Sequence, residues 1–158
     1  MSKSRKCIYC GVKWLLIIIL ALFVGWLWQV KSAAEPVSKV IIGQKIFYVD
    51  VADSPKEMAR GLSGRPGLAP DHGLLFIYPD KDYRTFWMKD MNFAIDLLWI
   101  DGDKVVGLEE NMLPEPGVAF DDLRRYNSPQ PVSRVLEIPA GSVDASQVKV
   151  GDIIKFSL

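Results

Sequence analysis

The sequence predicts a β-rich α+β domain that follows a single transmembrane helix. Two observations carry this prediction: an uncharged apolar run over residues 14–30 and, after it, many short apolar runs separated by turn signals, with one helix signal among them. Such a series is typical of a small, mostly antiparallel sheet that forms a barrel-like or sandwich-like domain. We therefore divide the chain into a basic segment (1–13), a membrane span (14–30), a linker (31–37) and the β-rich domain (38–158).

The apolar run has the length and the flanking residues of a transmembrane helix. Its 17 residues span roughly 25 Å at about 1.5 Å per residue, and Lys13 and Lys31 on either side can extend to the headgroups. Residues 1–13 hold four basic residues and no acidic one, so the positive-inside rule predicts a cytoplasmic N-terminus and an extracytoplasmic domain at the cell membrane. A secretory signal that is cleaved after Ala34 is the alternative.

Charge and cysteine content limit the function classes. The whole chain has a formal net charge of +0, but residues 35–158 hold 14 basic and 19 acidic residues, a net charge of −5. We expect no nucleic-acid partner, because phosphate binding needs a clustered positive surface. Both cysteines, Cys7 and Cys10, precede the apolar run, so the predicted domain has no disulfide. Their spacing fits half of a zinc site, but we interpret them as two reduced cytoplasmic thiols.

Turn and cap signals order the elements of the domain. Gly43-Gln44 and Asp101-Gly102 each predict a tight hairpin. Ser54 and Glu57 fit a capping box around Pro55, which predicts a short helix over 55–62. The predicted strands cover residues 37–42, 45–51, 74–78, 85–88, 95–100, 104–108, 132–138 and 153–156.

No conventional catalytic or metal-binding set is visible in the sequence. The only histidine, His72, lies in a Pro/Gly loop beside Asp71, and no serine stands in a nucleophile-elbow pattern. The short acidic pairs lack the ligand series of a calcium loop. We therefore expect no catalytic residue, no metal site and no cofactor.

Two carboxylates stand out because they interrupt apolar strands. They are Asp96 and Glu137, and a buried carboxylate is costly unless it is paired or hydrogen-bonded. One interpretation is a buried ionic network that fixes how helix and sheet pack; the other is a pocket that binds a ligand or acts as acid and base. The candidate partners are Arg60, Arg65, Lys89 and Arg134.

A series of short motifs recurs in a fixed order over about residues 37–156. The motifs are Arg60-Gly61-Leu62, Gly73-Leu74-Leu75-Phe76, Phe86-Trp87-Met88-Lys89-Asp90-Met91, Ile95-Asp96, Val135-Leu136-Glu137, Ala140-Gly141 and Gly151-Asp152. In order and spacing they resemble the bacterial and archaeal family called domain of unknown function 192. The resemblance implies a small β-rich fold with a short helix, often exported or membrane-tethered, and no agreed activity. Ser63, Leu74 and Ala94 depart from the residues usual in the family, which are Met, Met and Pro.

We expect a membrane-anchored, extracytoplasmic domain that is not an enzyme and binds a small ligand, a glycan or an envelope protein. Its expected partners are the lipid bilayer, through residues 14–30, and that envelope ligand or protein. The residues expected at the binding site all lie in the motifs: Arg60, Trp87, Lys89, Asp96 and Glu137. Two alternatives stay open, a cell-envelope hydrolase or transferase with Asp96 and Glu137 as paired carboxylates, and a purely structural envelope protein.

Overall fold

The structure, a computed structural model, describes residues 38–158. The predicted basic segment, membrane span and linker, together with Cys7 and Cys10, lie outside the described residues. Within residues 38–158, no helix has the length and apolar composition that crossing a bilayer requires.

Strands dominate the described residues, and the helices are short. The strands are β1 (Lys39–Ile42), β2 (Lys45–Ala52), β3 (His72–Asp82), β4 (Thr85–Phe86), β5 (Ile95–Asp101), β6 (Lys104–Met112), β7 (Tyr126–Asn127), β8 (Val132–Pro139) and β9 (Lys155–Ser157). The helices are α1 (Pro55–Arg60), α2 (Ser142–Ser146) and a 3₁₀ turn, Phe120–Asp122.

Seven of the strands form one curled sheet in the order β6-β5-β8-β3-β2-β1-β9, and β4 pairs with β7 separately. Only the β2–β3 pair in this part of the chain is parallel. The two edges of the sheet approach each other, because Val105 N donates to Asp152 O at 2.9 Å and Ile154 N donates to Asp103 O at 2.8 Å. The prediction of a β-rich fold is thus confirmed, and its form is a curled half-barrel.

The local turn and cap signals are confirmed. Ile42 pairs with Lys45 around the first predicted turn, and Asp101 pairs with Lys104 around the second. At α1 the Ser54 hydroxyl accepts from Glu57 N, and the Glu57 carboxylate accepts from Ser54 N, which completes the capping box. The helix ends earlier than predicted because Gly61 adopts a φ of +52° that other residues rarely take.

The second helix, α2, was not predicted from the sequence. Its N-cap is Gly141, which has no side chain to signal a helix start. The missing acceptor comes from β5, where an Asp96 carboxylate oxygen accepts from Val143 N at 2.8 Å. The prediction of one short helix is therefore corrected to two, because the cap of the second is supplied by a distant strand.

Strand alternation gives the sheet two apolar faces. We call the face of Leu98 and Leu136 the inner face; its cluster includes residues of β1 and β2 and Val143 of α2. We call the face of Leu97 and Val135 the outer face; helix α1 and the loops that follow it cover this face.

Candidate functional site

Two adjoining cavities lie over the outer face, next to helix α1. The first, which we call the cleft, has a volume of about 340 Å³ and lies against Met58 of α1, Phe76 of β3 and Phe86 of β4. The second, which we call the side cavity, has a volume of about 490 Å³ and extends toward β2. Arg60 and Gly61, at the end of α1, line both cavities.

Hydrogen bonds between two loops hold the cleft in shape. The loop that follows α1 meets the segment after β4, because Gly64 N donates to Asp90 O at 2.8 Å and the Ser63 hydroxyl donates to Lys89 O at 2.9 Å. Asp90 adopts a φ of +54°, so the second segment turns sharply at this contact. Ser63, one of the departures from the family pattern, therefore helps to join two walls of the cleft.

Aromatic rings in edge-to-face contact form much of the cleft wall. The Phe76 and Phe86 ring centroids are 4.9 Å apart at 89°, and Phe86 meets buried Trp99 at 5.6 Å. Trp87 is 39% exposed at the mouth of the cleft and meets Phe120 outside it at 5.4 Å. Such contacts stabilise by about 0.5–1.5 kcal/mol beyond burial, so they favour a rigid wall.

Glu137 supplies the polar group of the cleft. It lies in the middle of β8, between Leu74 of β3 and Leu97 of β5, and its side chain lines the cleft while only 6% of the residue is exposed. Its Oε2 atom is buried and has no hydrogen-bond partner among residues 38–158. Burial raises the pKa of Glu137 to about 8, against a smaller lowering by Arg65. At neutral pH this carboxyl is therefore mostly protonated.

Asp96 has the opposite environment. It is 1% exposed, its Oδ1 atom accepts from Asn111 N at 2.8 Å, and its Oδ2 atom accepts from Val143 N at 2.8 Å. Asp96 pairs with Ile138 across the sheet whereas Glu137 pairs with Leu97, so the two carboxyl groups project from opposite faces.

The geometry does not provide the paired carboxylates that the hydrolase or transferase alternative requires. That chemistry needs both groups in one open site, about 5–10 Å apart on either side of the substrate. Asp96 lines neither the cleft nor the side cavity, and Glu137 lines the cleft alone.

The other expected site residues also divide into those that line the cleft and those that lie outside it. Arg60 is exposed, lines both cavities and makes no ion pair or side-chain hydrogen bond within residues 38–158. Trp87 lines the cleft. Lys89 lies outside it, with its Nζ atom 3.9 Å from Asp90 Oδ2 and 5.7 Å from the Phe120 ring centroid. The structure thus brings Arg60, Trp87 and Glu137 together and separates Lys89 and Asp96 from them.

The buried ionic network does not form among the described residues. Of its proposed cations, Arg65 pairs with Asp50 at 2.9 Å, and Arg134 donates to the Gly102 carbonyl while its guanidinium lies 4.9 Å from the Phe156 ring. No cation of the described chain lies within ion-pair distance of Asp96, which backbone amides satisfy instead.

Tyr78 is a cleft residue that the sequence analysis missed. It follows Leu74 and Phe76 at a spacing of two, so the alternation along β3 was a signal for its position. Burial raises the pKa of Tyr78 to about 12, with a smaller raising effect of Glu137 and a lowering effect of Arg84. The Arg84 guanidinium carbon lies 3.9 Å from the Tyr78 ring centroid.

In the described part of the chain, no three His, Cys, Asp or Glu residues are grouped so that they could hold a metal ion. His72 lines neither cavity; its Nδ1 atom lies 2.8 Å from Asp71 Oδ1, and both side chains are exposed. This contact is the main cause of the lowered pKa of Asp71.

Fold and site together define a small half-barrel domain with one cleft-lining carboxyl on its outer face. The model of the family called domain of unknown function 192, described as "Uncharacterized ACR", matches residues 38–156, and the chain belongs to this family.

Two solved structures resemble this chain. One, titled a putative transcription regulator from Sinorhizobium meliloti 1021, is 28% identical over 75% of this chain and 91% of its own, with a TM-score of 0.66. The other, a protein of unknown function from Novosphingobium aromaticivorans DSM 12444, is 26% identical over 75% of this chain and 83% of its own, also with a TM-score of 0.66. Comparison with curated proteins gave no match.

Proposed function

We propose that this chain is a membrane-anchored, extracytoplasmic protein whose domain binds a small ligand in the outer-face cleft. The observation that carries the proposal is the Glu137 carboxyl, with a buried oxygen atom that no group of residues 38–158 satisfies. Leaving such an atom unpaired costs about 1–3 kcal/mol. A ligand that forms a hydrogen bond to this oxygen atom of Glu137 recovers the cost. Titratable groups with perturbed pKa values also concentrate at functional sites.

The other polar groups of the cleft support binding rather than catalysis, because none of its hydroxyl groups is activated as a nucleophile. Of its three hydroxyl groups, that of Tyr78 has a pKa that burial raises to about 12. The other two are already engaged, since Ser63 donates to Lys89 O at 2.9 Å and Thr85 donates to Asn127 Oδ1 at 2.8 Å. Neither hydroxyl is hydrogen-bonded to a base that would activate it. Glu137 therefore acts in this proposal as a hydrogen-bonding group for a ligand.

The sequence before the domain supports the anchor and its orientation. Residues 14–30 are uncharged, and the basic residues precede them. The linker, residues 31–37, reaches at most about 25 Å and keeps the domain near the bilayer. Alkaline phosphatase, which is active only outside the cytoplasm, fused after Leu158 of the full chain tests the orientation. We expect an active fusion, and an inactive, stably expressed fusion overturns the extracytoplasmic location.

Methionine methyl groups offer a direct test of ligand binding by the full chain in micelles of an uncharged detergent. Met58 and Met91 line the cleft, whereas Met88 and Met112 are buried and line neither cavity. The probes are monosaccharides and small aromatic and aliphatic acids, amides and amines, added to protein with ¹³C-methyl methionine. At least one class is expected to shift the Met58 and Met91 signals in a saturable way while the Met88 and Met112 signals stay in place.

The matched variants are Glu137→Leu, which removes the carboxyl group of the cleft, and Glu110→Leu, which removes an exposed carboxyl group of β6. The first is expected to weaken binding at least tenfold, and the second to leave it unchanged. If no probe shifts Met58 and Met91, or if Glu137→Leu binds as tightly as the wild type, the ligand-binding proposal fails. The structural alternative then becomes the better account.

A further inference from the structure

We propose that the cleft selects a small amphipathic anion, a carboxylate with an apolar body, over neutral and cationic molecules of the same shape. The inference rests on the proposed function and names the ligand class of the same site. It follows from the apolar walls, from the charges around the cleft and from the position of Glu137.

The walls of the cleft require an apolar body. Phe76, Phe86, Leu62 and Met91 face a space of about 340 Å³, near the lower end of the ~300–1,000 Å³ typical of small-molecule sites. A short chain or a single ring buries its surface there at roughly 25 cal/mol per Å². The site therefore suits a small ligand with one apolar end.

Arg60 gives the cleft its positive charge. The two acidic residues that line the side cavity with it are engaged elsewhere, since Asp50 pairs with Arg65 at 2.9 Å and Glu57 Oε2 accepts from the Ser54 hydroxyl at 2.6 Å. Arg60 itself has no ion-pair partner within the described residues. Its guanidinium is therefore available to an anion that enters the cleft.

Two of the four lining aromatic rings disfavour a cation. Arg84 lies over the Tyr78 ring at 3.9 Å, and Arg125 lies over the Trp87 ring at 4.9 Å. A second cation on either ring meets the repulsion of the guanidinium already bound to it, so the usual attraction between cation and ring is reduced. Glu137 adds little to the attraction for a cation, because this carboxyl is mostly neutral at pH 7.

The protonated carboxyl of Glu137 suits an anion as its partner. In this form it is a hydrogen-bond donor, and a carboxylate that accepts from it forms a charge-assisted hydrogen bond, about twice as strong as one between neutral groups. Arg60 and Glu137 line the same cleft, so both residues belong to the site that the carboxylate ligand occupies in this proposal.

A matched series of probes tests the inference on the full chain in micelles of an uncharged detergent at pH 7. The probes are 3-phenylpropanoate, 3-phenylpropanamide and 3-phenylpropylammonium, which share one apolar body and differ in charge. Titration of the Met58 and Met91 methyl signals is expected to give an affinity at least tenfold higher for the carboxylate than for the other two.

Substitutions of the arginine show whether the preference comes from its charge. Arg60→Gln is expected to lower the carboxylate affinity about tenfold without changing the amide affinity, and Arg60→Lys to keep the preference. Lys56→Gln is the control, because Lys56 lies on the same helix but lines neither cavity. Unchanged Met88 and Met112 signals establish that each variant folds.

Each outcome bears on the inference. Binding of the amide or the ammonium probe in the cleft as tightly as the carboxylate overturns the anion selectivity and leaves the proposed function standing. The same holds if Arg60→Gln keeps the full preference. If none of the three probes shifts Met58 and Met91 while another probe class does, only this inference fails; if no class does, the proposed function fails with it.

Discussion

The inner and outer faces of the sheet treat a buried carboxyl group in opposite ways. Asp96 and Glu137 occupy adjacent rungs of the same β5–β8 ladder, and both are at least nine-tenths buried. On the inner face Asp96 accepts from two backbone N–H groups. On the outer face Glu137 has an oxygen atom without a partner among residues 38–158 and lines an open cleft. The difference separates a group that completes the fold from one that, in our proposal, forms a hydrogen bond to a ligand.

The role of Asp96 follows from the helix that it caps. Gly141 precedes α2 and has no side chain to accept from the first N–H groups of the helix. Asp96 replaces the missing cap for Val143 and also holds Asn111, which adopts a φ of +52°. The inner-face carboxyl thus ties β5 to α2 and to the end of β6.

The largest expected effect is the pH dependence that Glu137 gives to stability. Its pKa is raised from 4.5 in a free side chain to about 8 in the fold, so between these values the unfolded chain releases a proton that the folded chain retains. The free energy of unfolding therefore falls as pH rises from 4.5 to 8, by roughly 4–5 kcal/mol at about 1.4 kcal/mol per pKa unit. Urea unfolding of the full chain at pH 5 and pH 8, monitored through the Met112 methyl signal, measures this decrease in the free energy of unfolding.

Glu137→Gln removes this contribution because the amide stays neutral at both pH values. The difference in unfolding free energy between pH 5 and pH 8 is expected to decrease by several kcal/mol relative to the wild type. Glu110→Gln, at an exposed position of β6, is expected to keep the wild-type difference. An unchanged pH dependence in Glu137→Gln contradicts a neutral Glu137 in the fold.

The second effect concerns the inner face. Asp96→Ala leaves the backbone N–H groups of Asn111 and Val143 without their acceptor, and we expect a loss of about 3 kcal/mol in the free energy of unfolding. Hydrogen exchange at these two amides is expected to accelerate more than exchange in β3. Asp144→Ala, which removes an exposed carboxylate in the first turn of α2, is the control.

If Asp96 acts only on the fold, its substitution leaves the cleft intact. The affinity of whichever probe binds the wild type is expected to stay within twofold in Asp96→Ala, provided that the Met88 signal shows a folded chain. A tenfold loss of affinity contradicts the separation of the two carboxyl groups.

The sequence predicts the local parts of this architecture well. The capping box around Ser54 and the turn at Gly43 depend on residues within a few positions, and both are confirmed. The parallel β2–β3 pair and helix α2 were not predicted, because the first joins strands on either side of α1 and the second takes its cap from Asp96, 47 positions before Val143.

The candidate site was also predictable only in part, because the sequence shows motifs but not the register between distant strands. The motifs indicated Arg60, Trp87 and Glu137, which line one cleft. They also indicated Asp96, because an acidic residue in an apolar strand looks the same on either face of a sheet. The register between β5 and β8 decides the face, and a shift of one residue reverses it.

A glycine next to Glu137 gives the third prediction. A Cβ atom at Gly73 would lie 2.8 Å from the backbone oxygen of Glu137 and 3.3 Å from a Val49 methyl group, so β3 and β8 would have to separate at this point. Gly73→Ala is expected to lower the free energy of unfolding by about 2 kcal/mol. Urea unfolding of the full chain measures the loss.

Gly67→Ala is the matched control, since a Cβ atom there meets nothing within 4 Å. Its effect is expected to stay within about 0.5 kcal/mol. Equal losses in the two variants contradict a special role for the close approach at Gly73. Accelerated exchange at the amide of Glu137 in Gly73→Ala alone places the damage in the strand that carries the cleft carboxyl.

The smallest effect concerns the helix that forms one wall of the cleft. Helix α1 has six residues and none of them is buried, so its cap contributes a large share of its stability. Ser54→Ala removes the hydroxyl that accepts from Glu57 N and donates to the Glu57 carboxylate. The free energy of unfolding is expected to fall by about 1 kcal/mol, whereas Ser157→Ala, at the exposed end of β9, has no such effect.

A titration separates loss of the cap from a general loss of stability. The hydrogen bond from the Ser54 side chain is the main cause of the lowered pKa of Glu57, so Ser54→Ala is expected to raise this pKa toward its ordinary value. Carboxyl NMR of the full chain measures the change, and Ser157→Ala is expected to leave the pKa of Glu57 unchanged. If the pKa of Glu57 rises while probe binding in the cleft is unchanged, this wall of the cleft keeps its shape without the cap of α1. If probe binding weakens as the pKa rises, the cap of α1 helps to preorganise the outer-face site.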